Sequence, residues 1–269
     1  MTKLAFLGAG KMVTAIVKSL LQSNAFVSSE LVCCSAKDGT SEALSKETGI
    51  ARADSIQKML SFKPDILVLG CKPQQFGEIR SQVPKETEHL TILSIMAGIT
   101  LAKIEKVFPR ARNFVRSMPN TPGQIGEGVT GYFFAHKPSP SDQFLVKKLL
   151  SSLGDAHEVN RESDLDLVTA ISGSGPAYLF EFACCIEEAG KKLGLDHELA
   201  EKLSHGTIIG AAKLMETSDS HPEKLRNEVT SPNGTTQAAL ESFGKSQLRK
   251  IVGDAVKAAA KRSIELSNA

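Results

Sequence analysis

The feature that most constrains the fold is an alternation of short apolar runs with amphipathic segments, over roughly the first 160 residues. Strands without polar alternation are buried on both faces, and strands separated by helices pair in parallel. Helices are predicted between the runs, for example at Met12–Leu21 and Leu101–Phe108. The pattern therefore predicts an α/β domain with a parallel sheet covered on both faces. The predicted strands are Leu4–Leu7, Leu31–Cys34, Ile66–Leu69, Ile92–Ile95, Phe114–Val115 and Val129–Phe134.

The first predicted strand runs into Gly-Ala-Gly-Lys-Met, residues 8–12. Gly8 permits a tight turn, and Gly10 lets the backbone approach a pyrophosphate at the start of the next helix. Val13 stands where a complete fingerprint has its third glycine. An ordinary strand-to-helix turn is the alternative, but the position at the start of the chain favours dinucleotide binding.

The end of the second strand bears on the choice of cofactor. NAD-binding domains usually place an acid there for the ribose 2′-hydroxyl. This chain has Ser35, Ala36 and Lys37 instead, followed by Asp38. Because Lys37 can pair with a 2′-phosphate, we expect NADP rather than NAD, although a solvated loop charge is the alternative for this lysine.

Three further loops follow predicted strands, at Cys71–Pro73, Met96–Gly98 and Met118–Pro122. Ligands of open α/β sheets bind outside the carboxyl ends of the strands. Asn120 and Thr121 add polar groups to the last of these loops. Together the loops predict a binding crevice along one sheet edge.

The character of the chain changes after Asp164, where no strand is predicted. Long helices rich in Ala and Gly are expected at Pro176–Leu193, Glu198–Glu216 and Ser246–Leu266. Small residues let helix backbones approach closely, which suits an all-helical domain or an intertwined dimer. The boundary is placed near Arg161, giving domains 1–160 and 161–269.

Two loops of this half are rich in hydroxyls and turn residues. Ser172–Tyr178 reads as a helix start capped by Ser174 or Gly175, whose backbone N–H groups could face a carboxylate or a partner chain. Ser231–Thr236, with the sequence SPNGTT, predicts a turn leading into a helix at Gln237–Phe243. Local chemistry leaves this second loop evenly balanced between a turn with a Thr N-cap and an anion-binding nest.

Composition excludes several classes of function. A net charge of +2 without a clustered basic run gives no electrostatic footprint for nucleic acid. The longest apolar stretches are far shorter than a membrane span, and a strand predicted from Leu4 leads us to expect no signal peptide. Five cysteines argue against a disulfide framework and for a reducing, cytoplasmic location. The adjacent pairs Cys33-Cys34 and Cys184-Cys185 lack zinc-ligand spacing and are expected to be packing residues.

The motifs GAGKM, CKP, MPNTP, SGSGPAY and SPNGTT, in this order, resemble the pyrroline-5-carboxylate reductase family. The resemblance extends to the closing run from Ala255 to Leu266 and so covers essentially the whole chain. It implies reduction of the ring imine of 1-pyrroline-5-carboxylate to L-proline by NADPH or NADH, the last step of proline biosynthesis. It also implies an N-terminal Rossmann-like dinucleotide-binding domain and an all-helical dimerisation domain. In the family the active site lies between one subunit's cofactor domain and its partner's helices, and dimers often form decamers.

The resemblance also implies the roles of individual residues, and it implies no metal. Thr236 is the expected catalytic residue, with its hydroxyl at the ring nitrogen. Ser231 and the backbone of Gly234 and Thr235 are expected at the substrate carboxylate, with Glu162 near the substrate. The expected cofactor residues are Gly8, Ala9, Gly10, Lys11 and Met12 at the pyrophosphate, Ser35 and Lys37 at the ribose, and Cys71, Lys72, Pro73 and Ala97 at the nicotinamide.

Two departures from the family pattern stand out. Asn233 replaces the usual glycine of SPGGTT, and we expect the turn to survive. Its side chain either turns away from the carboxylate site or touches the substrate, and the sequence leaves both alternatives open. Val13 replaces a common alanine.

Alternative functions are reduction of another cyclic imine, a 3-hydroxyacid dehydrogenase, and a non-catalytic dinucleotide-binding regulator. The dehydrogenase requires a lysine within the first long helix, where this chain has Lys191 and Lys192 only at the end. A regulator has no need of the Thr235 and Thr236 hydroxyls.

Overall fold

The computed structural model describes residues 2–84 and 86–268. The chain divides into two compact units, one formed by Met1–Ser174 and Ala259–Ala269 and the other by Gly175–Ala258. The first unit thus extends beyond the boundary expected near Arg161. It does so because the helix Asp164–Val168 packs onto the sheet, where a Cβ on Gly131 would lie 2.8 Å from Val168.

Within the described residues, the first unit contains one eight-stranded sheet with the order β3-β2-β1-β4-β5-β6-β7-β8. All neighbouring strands pair in parallel except β6 and β7. The strands are β1 Leu4–Leu7, β2 Leu31–Cys34, β3 Ala51–Arg52, β4 Ile66–Leu69, β5 Thr91–Ser94, β6 Asn113–Met118, β7 Gly128–Phe134 and β8 Gly154–Glu158.

The expectation of an all-parallel sheet is wrong at β7. The connection from β6 to β7 holds only a short 3-10 helix, Thr121–Ile125, and is too short for the crossover that a parallel pair requires. The strands β3 and β8 were not predicted from the sequence. The strand β3 has only two residues, and β8, with the sequence GDAHE at the exposed edge of the sheet, has no apolar run.

Both faces of the sheet are buried, as the apolar runs predict. Along β1, Leu4 and Phe6 belong to one core cluster, whereas Ala5 and Leu7 belong to the other. Burial of a large apolar side chain contributes roughly 1.5–3 kcal/mol, so this double coverage holds the central strands firmly. The helices of this unit are α1 Lys11–Gln22, α2 Thr40–Thr48, α3 Ile56–Leu60, α4 Phe76–Ile79, α5 Leu101–Val107, α6 Pro140–Leu150 and α7 Asp164–Val168.

The described residues of the second unit form helices joined by loops, and the last helix, Leu248–Asn268, continues into the first unit. The helix α10 was not predicted, since seven residues following a proline give only a short periodic signal. None of the helices in residues 2–84 and 86–268 has both the length and the apolarity needed to cross a membrane. The helices are α8 Gly175–Lys192, α9 His197–Thr217, α10 Pro222–Glu228, α11 Thr235–Lys245 and α12 Leu248–Asn268.

Large apolar side chains of the second unit are exposed in the single chain. Leu179 is 58% exposed, Phe180 64% and Ile209 55%. Cys184 and Cys185 are also exposed, so the prediction that they are packing residues is wrong within one chain, whereas Cys33 and Cys34 are buried as predicted. Apolar exposure on this scale is typical of a surface that another chain covers.

Candidate functional site

The turn after β1 is shaped by two glycines in different ways. Gly8 has φ +104°, and a Cβ on it would lie 2.4 Å from the carbonyl oxygen of Gly70. Gly10 is the N-cap of α1, has no neighbour within 4 Å of an added Cβ, and lies at an exposed position. No side chain caps this helix, so the backbone N–H groups of its first turn, beginning at Lys11, are free to bind an anion.

Val13 fits at the third fingerprint position because Gly70, directly after the neighbouring strand β4, leaves room for its side chain. A Cβ on Gly70, directly after β4, would lie 2.3 Å from Val13 Cγ2. Val13 is buried, and Ala9 is also buried beside it in the turn. Met12 packs against the same core. The larger residue is therefore accommodated by the missing side chain of Gly70.

In the loop after β2 the carboxylate is hydrogen-bonded within the loop, whereas the cation, among the described residues, is not. Asp38 Oδ1 accepts hydrogen bonds from the Thr40 N–H at 3.0 Å, the Thr40 hydroxyl at 2.7 Å and the Ser35 hydroxyl at 3.1 Å. These bonds, those of Thr40 first, lower the pKa of Asp38. Lys37 is exposed. The carboxylate is thus engaged within its own loop, and so is the Ser35 hydroxyl, which also accepts the N–H of Ser41 at 3.2 Å, whereas the exposed Lys37 remains available to a phosphate.

The loops after β4 and β5 lie against each other. Cys71 Sγ lies 3.6 Å from Met96 Sδ, and a Cβ on Gly8 would lie 2.6 Å from the Cys71 nitrogen. Burial raises the pKa of Cys71 to about 11, so its thiol is protonated at neutral pH. Lys72 and Ala97 are exposed beside it, and Pro73 is partly buried. The expected cofactor loops therefore share one sheet edge.

The loop after β6 is used for structure instead of binding. Asn120 Oδ1 accepts the N–H of Val129 at 2.9 Å, and its Nδ2 donates to the carbonyl of Ser172 at 3.1 Å. Asn120 is also buried. The expected contribution of this amide to the crevice is therefore wrong, because both of its polar atoms bond within the fold.

Residues 172–178 do not form a free helix start. Thr169–Gly173 is a π-helical turn that follows α7, and the Ser174 N–H donates to the carbonyl of Thr169 at 2.8 Å. The N–H expected to be free at Ser174 is therefore bonded. A role for the other backbone N–H groups of this motif, at a carboxylate or a partner chain, stays a prediction.

Glu162 binds two groups in the first unit. Its Oε1 accepts the N–H of Leu101 at 2.8 Å, which caps α5, and lies 3.2 Å from Arg116 Nη1. Its side chain is about one-third exposed. The structure places this carboxylate as a cap and counter-ion, and the sequence separation of these partners left no signal for that role.

The SPNGTT loop is a hydrogen-bonded turn followed by an uncapped helix. The Gly234 N–H donates to the Ser231 carbonyl at 3.0 Å, and Asn233 has φ +59°. Proline in the second position and a positive φ in the third are the pattern of a type II turn. Gly234, not a threonine, is the N-cap of α11, and it makes no side-chain cap. The expected Thr N-cap is therefore wrong.

The hydroxyls of this loop remain available for a ligand. Thr235 and Thr236 occupy the first two positions of α11, and no hydrogen bond of the described residues engages their hydroxyls or that of Ser231. The Asn233 N–H donates to Gln237 Oε1 at 2.8 Å. The role of Gln237, one turn into the helix, was missed although an amide four residues after Asn233 was visible in the sequence. In the described chain no cluster of three or more metal-ligating side chains occurs.

Two known families match two successive parts of the chain, one mainly in each unit of the fold. Residues 3–98 match the family described as NADP oxidoreductase, coenzyme F420-dependent. Residues 162–266 match the family described as pyrroline-5-carboxylate reductase dimerisation. The exposed apolar side chains of the second unit accord with this description, and together they support self-association.

Relatives and solved structures match over nearly the full length. Pyrroline-5-carboxylate reductase 2 of Bacillus subtilis is 34% identical over 99% of this chain and 95% of its own. The enzyme of Pseudomonas aeruginosa is 35% identical over 98% and 97%. The Coxiella burnetii pyrroline-5-carboxylate reductase structure has a TM-score of 0.90 at 30% identity over 99% of this chain and 98% of its own. The Plasmodium falciparum enzyme, solved with NADP bound, has a TM-score of 0.84 at 30% identity over the same shares.

A reductive aminase of Aspergillus terreus shares only the fold, with a TM-score of 0.61 at 16% identity over 98% of this chain and 93% of its own. Assignment to a family therefore rests on the relatives that match over the full length. The chain belongs to the pyrroline-5-carboxylate reductase family.

Proposed function

We propose that this protein reduces 1-pyrroline-5-carboxylate to L-proline with NADPH, as the last step of proline biosynthesis. Full-length similarity to enzymes of that name supports the proposal. The observation that carries it is the SPNGTT turn, which leaves three hydroxyls and an uncapped helix start free in the second unit. A small anionic imine needs such neutral donors for its carboxylate and its nitrogen.

The sheet edge of the first unit fits a dinucleotide. The open space at Gly10 and the uncapped start of α1 suit the pyrophosphate. We assign the pyrophosphate to residues 8–12 and the adenosine ribose to Ser35 and Lys37. The nicotinamide is assigned to Cys71, Lys72, Pro73 and Ala97. The bound cofactor supplies the hydride and the redox chemistry.

The substrate carboxylate is assigned to the turn. Ser231 donates its hydroxyl, and the backbone N–H groups at the start of α11 add the positive end of the helix dipole. Gly234 and Thr235 contribute through their backbone. Asn233 keeps the turn in its left-handed position without strain because Asn tolerates a positive φ.

Thr236 is assigned to the ring nitrogen. A protonated iminium accepts hydride better than a neutral imine, so a hydroxyl at this atom promotes the reaction by holding or relaying the proton. Positioned proton transfer contributes roughly 10²–10⁴-fold to a rate. Glu162 belongs to the first unit, where it holds the start of α5; we assign it a supporting role near the substrate.

One assay tests the proposal directly. Purified protein is given NADPH with 1-pyrroline-5-carboxylate, with a six-membered cyclic imine carboxylate, or with a five-membered imine without a carboxylate. We expect turnover with the first to exceed that with the others at least tenfold, since both ring size and carboxylate are recognised. A preference for the six-membered substrate would favour the alternative of another cyclic-imine reductase, and no turnover with any would favour a non-catalytic regulator.

NADPH is expected to be preferred over NADH because Lys37 is exposed and the Asp38 carboxylate is already hydrogen-bonded within its own loop. A charge-assisted hydrogen bond contributes roughly 1.5–3 kcal/mol, equivalent to about 10–100-fold in kcat/KM. Lys37→Glu is expected to remove most of this preference. Lys46→Glu makes the same change of charge at an exposed position of α2 and is expected to leave the preference intact. Equal kcat/KM for both cofactors in the native protein would contradict the assignment.

Self-association is proposed to produce a homodimer through the second unit, assembling further into a decamer. The exposed Leu179, Phe180 and Ile209 support burial against another chain. A cytoplasmic location is proposed with this function. Light scattering during size-exclusion chromatography tests the assembly, and a mass of one chain would contradict it.

A further inference from the structure

A buried polar cluster holds the end of α12 in the first unit. Asp166 Oδ1 accepts hydrogen bonds from Ser263 Oγ at 2.7 Å and from Ser267 Oγ at 3.0 Å. Arg116 Nη2 donates to Ser267 Oγ at 3.1 Å and lies 3.3 Å from Asp166 Oδ1. All four residues are at least nine-tenths buried. A satisfied buried network of this kind fixes one arrangement, because every broken bond leaves a buried polar atom unpaired.

The fixed end of α12 contacts the loop after β5. Gly98 has φ +72°, and a Cβ on it would lie 3.2 Å from Leu266 Cβ and 3.4 Å from the Leu266 carbonyl oxygen. Lys103, on the helix that follows this loop, donates from Nζ to the Ser267 carbonyl at 3.2 Å. The last turn of α12 therefore touches the loop at Gly98 and holds α5 at Lys103.

The other side of the same loop is also held. Met96 is buried, its N–H donates to Ser94 Oγ at 3.2 Å, and its sulfur contacts Cys71. Of residues 96–99, only Ala97 is exposed. The loop is fixed on both sides of Ala97, which is presented at the sheet edge.

We propose that Leu266, Ser267 and Lys103 are positioning residues that hold the Met96–Gly98 loop for the nicotinamide half of the cofactor. The inference rests on the proposed placement of the nicotinamide beside Ala97. These three residues act through the loop and do not touch the cofactor. We call the contacts that Leu266, Ser267 and Lys103 make with the loop and with α5 the brace. Loss of the brace is therefore expected to weaken binding of the nicotinamide half and to leave binding of the adenosine half, at the ends of β1 and β2, unchanged.

Calorimetric titration with two probes tests the brace. NADPH reports on the whole cofactor site, whereas adenosine 2′,5′-bisphosphate reports on the adenosine half alone. In Lys103→Met, which loses one hydrogen bond, we expect the Kd for NADPH to rise about three- to tenfold, and in Ser267→Ala, which loses two, to rise by at least as much. The Kd for the bisphosphate is expected to stay within about twofold in both variants. Lys103→Arg keeps a donor and is expected to restore NADPH binding. Lys106→Met, at an exposed position of the same helix, is the matched control and is expected to bind both like the native protein.

Three results would overturn the brace: an unchanged Kd for NADPH in both variants, an equal loss for both probes, or the same loss in Lys106→Met. The thermal midpoint of each variant is measured alongside, so that general destabilisation is recognised as the cause of an equal loss. Ala97→Leu separates the brace from the placement on which it rests. Native NADPH affinity in Ala97→Leu contradicts the placement, and with it the brace. A loss in Ala97→Leu beside native affinity in Lys103→Met contradicts the brace alone.

Discussion

Replacement of Thr236 by valine is expected to lower kcat about 100-fold or more while the protein stays folded. Valine keeps the shape of threonine and removes the hydroxyl, which is placed in the first turn of α11 without a hydrogen bond among the described residues. The stability is expected to change by only about 0.5 kcal/mol because the side chain supports no buried contact network. The rate loss corresponds to the lower end of the effect of a positioned proton donor. Steady-state kinetics with NADPH and 1-pyrroline-5-carboxylate, beside thermal unfolding, measures both quantities.

Two companion variants isolate the hydroxyl of Thr236. Thr207→Val is the matched control, because it makes the same change at an exposed position of α9 outside the SPNGTT loop; its kcat is expected to stay within about threefold of the native value. Thr236→Ser retains an O–H and is expected to recover most of the activity. A kcat within twofold of the native value in Thr236→Val would contradict the role at the ring nitrogen.

Much of the sheet could be predicted because its strands are buried on both faces. Each apolar run at β1, β2 and β4 has no polar residue and is short, which favours a strand covered on both faces. The direction of β7 could not be predicted, since apolar patterning is the same for parallel and antiparallel strands. The edge strand β8 carries Asp155, His157 and Glu158, and a strand that faces solvent needs no apolar signal.

The site was predictable where backbone geometry determines it and not where distant side chains meet. The rule that ligands bind at the carboxyl ends of strands brought Gly10, Ser35 and Ala97 to one edge. The hydrogen bond from the Thr40 N–H to Asp38 could have been predicted from Asp-Gly-Thr, because Asp commonly accepts a bond from the N–H two residues on. By contrast, Glu162 caps α5 across 61 positions of sequence, and no local pattern encodes such a contact.

Gly8→Ala is expected to lower the stability of the protein and Gly10→Ala its affinity for NADPH, although the two glycines lie in one turn. Gly8→Ala is expected to lower the free energy of unfolding by about 3 kcal/mol. The positive φ costs an alanine roughly 1–2 kcal/mol, and overlap with the Gly70 carbonyl, 2.4 Å from the new Cβ, adds roughly 1–3 kcal/mol. Gly10→Ala is expected to stay within about 1 kcal/mol of the native protein, since nothing lies within 4 Å of its Cβ.

The Gly10 variant is expected to differ from the native protein in its binding of the cofactor. In Gly10→Ala the added methyl group projects where the pyrophosphate must approach the backbone, so the Kd for NADPH is expected to rise about tenfold or more in a protein of native stability. Denaturant unfolding at one fixed protein concentration, which keeps any contribution of self-association constant, gives the first quantity, and titration with NADPH gives the second. Native stability in Gly8→Ala would contradict the close approach of β1 and β4 at Gly70. Native NADPH affinity in Gly10→Ala would contradict the pyrophosphate site, because a methyl group cannot occupy the position of a bound phosphate without weakening it.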